Sequence, residues 1–146
     1  MKKIIMLMVA VIMASTVLGC TTTDSVEKAI DQKGVMMSAI KGNIAYRERI
    51  ALPPTAIITV TLEDVSKMDA AAKKIAEQTF TSDGEQVPFD FELSYDANMI
   101  ELNHRYSVRA TIHVDGKLRF TTDTVNSVIT DDNRTQQLNL QLVSVK

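Results

Sequence analysis

From about residue 39 to the end of the chain, apolar and polar positions alternate with a period of two, the spacing of strands buried on one face. Ile40, Ile44 and Tyr46 share one side of a first segment with Gly42 among them, and Ala56, Ile58, Val60 and Leu62 repeat the pattern in a second. "QVPFDFELSYD" sets Val87, Phe89, Phe91, Leu93 and Tyr95 on one face. "HRYSVRATIHVDG" sets Tyr106, Val108, Ala110, Ile112 and Val114 against Arg105, Ser107, Arg109, Thr111 and His113. Leu118 and Phe120 begin another strand, residues 125–129 continue or break from it, and Leu138, Leu140 and Leu142 form the last. Within "MDAAAKKIAEQTF" helix formers compete with a following turn signal, and residues 74–81 are assigned to a strand. About seven strands follow, separated by turn signals at Pro53-Pro54, Asp83-Gly84, Asp115-Gly116 and Asp131-Asp132-Asn133. One-sided strands must bury their apolar faces, so the expected fold is all-β, a two-sheet sandwich of about seven strands over residues 39–146.

The Asp115-Gly116 turn constrains register. A plain two-residue hairpin would place Val114 opposite Lys117 and Ile112 opposite Arg119, joining core to solvent on one face. A three-residue loop with Gly116 left-handed in a bulge avoids this by pairing Ile112 with Leu118 and Ala110 with Phe120.

Residues 1–19 follow a different pattern. Lys2 and Lys3 precede a fifteen-residue apolar run, residues 4–18. That run is short of the ~20 residues a membrane-spanning helix requires, and it has the form of a signal peptide. It ends at Val17-Leu18-Gly19-Cys20, which resembles the lipobox of bacterial lipoproteins. The resemblance implies cleavage after Gly19, diacylglycerol on the Cys20 sulfur and an acyl chain on the new amino terminus. Thr21, in place of the aspartate that commonly retains such proteins at the inner membrane, implies delivery to the outer membrane, facing the periplasm. Several acyl chains, at about 0.8 kcal/mol per buried methylene, suffice as an anchor. Residues 20–38 are expected to form the lipidated N-terminus and a mobile tether, since the short "SVEKAIDQK" stretch lacks a packing partner for its helix.

Composition narrows the function classes. The chain has 146 residues, 45% of them apolar, enough for one core of ordinary domain size. Its 16 basic residues fall to 14 once Lys2 and Lys3 are removed, against 18 acidic ones. That mature balance, about −4, offers neither a basic stripe for nucleic acid nor a polybasic patch for anionic lipid. The lone cysteine excludes an intrachain disulfide. No Gly-x-Ser-x-Gly, His-Glu-x-x-His, Cys-x-x-Cys or phosphate-binding glycine loop occurs, and His104 and His113 stand apart from any nucleophile motif. Asp131, Asp132 and Asn133 supply too few oxygens for calcium and are better read as a turn. The expectation is a protein that is not an enzyme and takes neither a metal nor a cofactor beyond the acyl chains on Cys20.

"GNIAYRERIALPPTAIITVTLEDVS", "IAEQTF", "QVPFDFELSYD" and "YSVRATIHVDGKLRFTTDT" together resemble the YscW/YbaY-type lipoproteins across nearly the whole mature domain, closer to the YbaY-like branch. The resemblance implies a lipid-anchored β-sandwich. Its YscW branch implies a pilotin or chaperone-like module that binds a secretin or another outer-membrane client. The run Tyr46-Arg47-Glu48-Arg49, leading to Leu52-Pro53-Pro54, is the candidate partner-binding site, at a strand end that accepts a peptide. As plain chemistry, the same charged residues also fit a solvated strand end. The alternative function is an envelope lipoprotein that binds glycan or lipid, or has a structural role. A client site should show an apolar patch, and a glycan site an aromatic shelf.

Overall fold

The computed structural model describes residues 34–146. The signal sequence, Cys20 and most of the expected tether lie outside the described residues. Among the described residues there are eight strands: β1 (Met37–Tyr46), β2 (Ile57–Asp64), β3 (Lys73–Thr81), β4 (Phe89–Asp96), β5 (Tyr106–Val114), β6 (Lys117–Thr122), β7 (Ser127–Val128) and β8 (Gln137–Ser144), with one 3-10 turn at Ala97–Met99. The fold is all-β. Its strands hydrogen-bond in one continuous order, β3-β2-β5-β6-β8-β1-β4, with β7 filling the edge of β5 that β6 leaves open. The sheet curls until its two end strands approach, and Phe80 of β3 meets Phe89 of β4 edge to face at 6.1 Å between centroids. The two packed layers expected from one-sided strands are thus opposite walls of a nearly closed barrel.

Alternation accounts for the core. Ile40, Ile44, Ile58, Val60, Leu62 and Ala110 are fully buried, and the inward positions of β4, β5, β6 and β8 join them. Val87 and Val114, at the ends of their runs, are half-buried. Each fully buried Leu, Ile or Phe contributes about 1.5–3 kcal/mol. The stretch 74–81 is a strand, β3, paired along β2. Tertiary pairing overrides its helix-forming composition. Ser107, expected to face outward, is buried, because β7 and the preceding loop cover it and the Asn126 amide donates to its hydroxyl at 3.1 Å.

The hairpin differs from expectation in one respect. Asp115 and Gly116 both lie at positive φ, 52° and 74°, forming a two-residue turn that sets Val114 opposite Lys117. The parity mismatch is corrected inside the strands. His113 pairs with Leu118 and Ile112 with Phe120, so Arg119 is the extra, bulged residue. An Asp-Gly pair tolerates positive φ at both central positions and favours the tight turn. The bulge therefore moves into β6 and returns Phe120 to the core.

Strand directions give the barrel two ends. The near end, where the described chain begins, carries the starts of β1 and β8 and the loops 65–72, 97–105 and 123–136. The far end carries residues 47–56, the loop 82–88, the 115–116 turn and the C-terminus.

Candidate functional site

Alternation places Tyr46 on the inward side at the far end of β1, and its ring stacks on Phe120 at 4.2 Å and 12°. Its hydroxyl donates to the Ile50 carbonyl at 2.6 Å. Burial, helped by the nearby Glu48 charge, pushes the phenol pKa up. Only 7% exposed, Tyr46 supports the turn above it and presents little surface of its own. Arg47 and Arg49 on that turn are exposed. Glu48 bends back, accepting from the Ser144 amide at 3.3 Å, and its carboxyl sits below the usual range through its own backbone amide and Ser144. The four residues therefore separate into two outward cations, one anion that ties the turn to β8, and one buried support.

Beyond this turn the chain is pinned. The Gln86 side chain accepts from the Leu52 amide at 2.8 Å and donates to the Leu52 carbonyl at 3.0 Å. The Ser82 hydroxyl donates to the Pro53 carbonyl at 2.7 Å. Between this fixed segment and the β5–β6 hairpin lies an apolar groove of about 200 Å³, lined by Ile50, Leu52, Pro53, Val114 and Phe120, with Arg119 at its side. Ile50 is 48% exposed at its mouth. Among the described residues, Arg47, Arg49 and Arg119 enter no salt bridge. The result is a preformed apolar slot beside cationic groups, suited to an apolar segment that carries acidic residues.

Two other places carry chemistry. A shallow groove of about 440 Å³ over β4, β1 and β8 is lined by Lys41, Asn43, Asp90, Glu92, Gln137 and Asn139, and its Lys41 and Glu92 neutralise each other at 3.2 Å. At the near end, His104 Nδ1 lies 2.6 Å from Asp64 Oδ2, while Asp64 Oδ1 accepts from the Ser66 amide at 2.9 Å and its hydroxyl at 2.5 Å. Burial alone would raise the Asp64 pKa, but the Ser66 hydroxyl and amide, with His104, outweigh it and hold the carboxyl at about 2. Ser66 gives its proton to the carboxylate and not to the imidazole, so the order Ser-Asp-His supports no base-activated nucleophile. What it does is lock two loops together, because the Ser66 hydroxyl also accepts from the Arg105 amide at 2.8 Å.

The groove and the Asp64–His104 pair both escape sequence reasoning, because the partners lie far apart in the chain. A signal for the second existed in Asp64 and Ser66 two residues apart at a strand end, the spacing of a side-chain turn. At Asp131, the carboxylate accepts from the Thr135 amide at 2.8 Å and its hydroxyl at 2.7 Å, which closes the 131–135 loop as a turn. Among the described residues no three His, Cys, Asp or Glu side chains converge as metal ligands. His113 is half-exposed on the outer face of β5.

Comparison with known proteins places the chain beside a family, a curated relative and a solved structure. Residues 35–141 match the family model described as type III secretion system lipoprotein chaperone, YscW. The chain is 38% identical over 112 residues to the uncharacterized lipoprotein YbaY of Escherichia coli (strain K12), covering 77% of this chain and 59% of that protein. Among solved structures, an alternative pilotin from the type II secretion system of Vibrio cholerae matches with a TM-score of 0.75 and 52% sequence identity, over 76% of this chain and 99% of that one.

Proposed function

The chain belongs to the YscW family of lipoprotein chaperones, and from that premise we propose that it is a lipid-anchored, periplasm-facing outer-membrane lipoprotein that captures a secretin or similar outer-membrane subunit without catalysing a reaction. The anchor is Cys20, and Thr21 directs the chain outward. The observation that carries the reading is the far-end groove, apolar at its floor, bordered by Arg119, following directly on the turn that carries Arg47 and Arg49, and held in shape by Gln86, Ser82 and Tyr46. The client segment that fits it is short and apolar with flanking carboxylates. Likeness to a pilotin over nearly that protein's whole chain supports the client class.

No observation favours a glycan ligand. All seven aromatic rings lie in the described residues, six of them buried, while Phe80 packs partly buried against the core. None is free to form a shelf for sugars. The Ser66-Asp64-His104 order likewise supports a structural role over hydrolysis.

A photo-crosslinking amino acid at Ile50, with one at Lys74 as control, tests the reading in intact cells. An outer-membrane secretion subunit should be trapped at position 50 and not at 74, and Arg47→Glu with Arg49→Glu should weaken capture at least tenfold. Equal adducts at both positions, or lipid and glycan alone, would overturn it.

A further inference from the structure

The exposed apolar side chains are not spread evenly over the barrel. Among the described residues ten large hydrophobic side chains are exposed, and seven of them sit at the near end. Val35, Met36 and Met37 lead into β1, held beside the 97–99 turn by the Ala97 amide, which donates to the Met36 carbonyl at 2.7 Å, and by Asn98 Nδ2, which donates to the Gly34 carbonyl at 3.1 Å. That turn carries Met99, and the loop after it carries Leu102, 90% exposed. Met68, 89% exposed, tops the neighbouring loop, which is joined to the Leu102 loop through the Val65 amide on the Arg105 carbonyl at 2.8 Å and through the Asp64–Ser66–His104 lock. Val125 stands on the third loop of the same end. Met68 and Leu102, on pinned loops, bury almost nothing within the domain.

We propose that this near end is a membrane-seating rim: Met68, Met99, Leu102, Val125 and the 35–37 segment enter the interfacial layer of the bilayer to which the chain is anchored. This rests on the lipidation of Cys20 proposed above. Geometry selects the occupant. Fourteen peptide steps separate Cys20 from Gly34. At a maximum of ~3.3–3.6 Å each, they hold the rim within about 50 Å of the lipid, whatever their conformation. The far end is about 30 Å further away, the length of ten residues of β1, and could meet the bilayer only if the linker ran back along the barrel. Lys67, Lys73, Arg105 and Arg134 around this end face Asp69, Glu101, Asp123, Asp131 and Asp132, so no basic surface is present and the attraction is apolar, without need of anionic lipid. Methionine suits the task, being flexible and apolar enough to lodge among acyl chains. Seated in this way, the domain presents the far-end groove to the periplasm.

The full-length acylated chain tests this, because acylation of Cys20 leaves an introduced cysteine as the sole free thiol. Met68→Cys, Leu102→Cys and, at the far end, Glu85→Cys would carry an environment-sensitive fluorophore on phosphatidylcholine vesicles containing nitroxide-labelled acyl chains. Quenching at 68 and 102 should exceed that at 85 by threefold or more. In a Val125→Cys reporter, Met68→Glu with Leu102→Glu should abolish the quenching while leaving the melting temperature unchanged. Equal quenching at 68, 102 and 85, in a chain that floats with the vesicles and carries acyl mass, would overturn the rim and leave the anchor standing. A chain that neither floats nor carries acyl mass would overturn both. Shielding of the labels by membrane protein but not by lipid would overturn the rim in favour of a client surface.

Discussion

Replacing Gly42 by alanine should strongly destabilise the domain, although it adds one methyl group. Gly42 lies on the inward face of β1, opposite Leu138 across the parallel β1–β8 ladder and Phe91 across the β1–β4 ladder. A Cβ at this position would stand 1.9 Å from the Leu138 carbonyl oxygen, 3.0 Å from its carbon and 3.1 Å from Phe91 Cε1. The nearest atom is backbone, held in the β1–β8 ladder. Relief requires a separation of more than ~1 Å between β1 and β8, enough to stretch ladder hydrogen bonds out of range. Overpacking of this kind costs ~1–3 kcal/mol, and each lost hydrogen bond adds about 1 kcal/mol. A loss of about 3–4 kcal/mol should lower the melting temperature by roughly 12–16 °C in a domain of this size. Circular dichroism melts at neutral pH measure it, with Gly34→Ala as control, since nothing lies within 4 Å of a Cβ there. A Gly42→Ala melt within about 3 °C of the wild type would refute the reasoning.

Asp64→Asn should cost about 2 kcal/mol near pH 6, because the native carboxyl titrates at about 2, well below its ordinary 3.8. The depressed pKa gives stability that is complete above the unfolded value and lost as pH falls through the native one, so urea midpoints of the two proteins should converge near pH 2. Gly116→Val should cost about 1 kcal/mol or more, since φ is +74° where a β-branched residue is strained, and a thermal melt unchanged from the wild type would contradict the turn. Tyr46→Phe removes the bond to the Ile50 carbonyl and should lower stability by about 1 kcal/mol in urea, while Tyr46→Ala, which also empties the stack on Phe120, should cost ~3 kcal/mol or more. Cys20→Ser should leave an uncleaved precursor without acyl chains, and intact-mass measurement with palmitate labelling checks it.

Local alternation made the core legible, because a period of two decides which side of each strand is buried before any partner is known. The same rule exposed the parity problem at Asp115-Gly116, yet it could not say where the extra residue would sit. Turn chemistry fixed the tight hairpin, and the bulge fell to Arg119. Tyr46 shows the limit of reading a motif as a unit. Its neighbours are exposed, but its own parity sends it inward beneath them. What stayed hidden is contact between distant positions: Asp64 with His104, Gln86 with Leu52, and the close approach of Leu138 that requires glycine at 42. No local pattern encodes such pairs.

The position of β8 bears on how the chain is made. Among the described residues β8 comes last in chain order and lies between β6 and β1, so it alone joins the β4–β1 pair to the other strands by hydrogen bonds. A nascent chain lacking it has two fragments with open edges and no closed core. Closure of the core therefore waits for β8, as expected for a topology built on distant pairings.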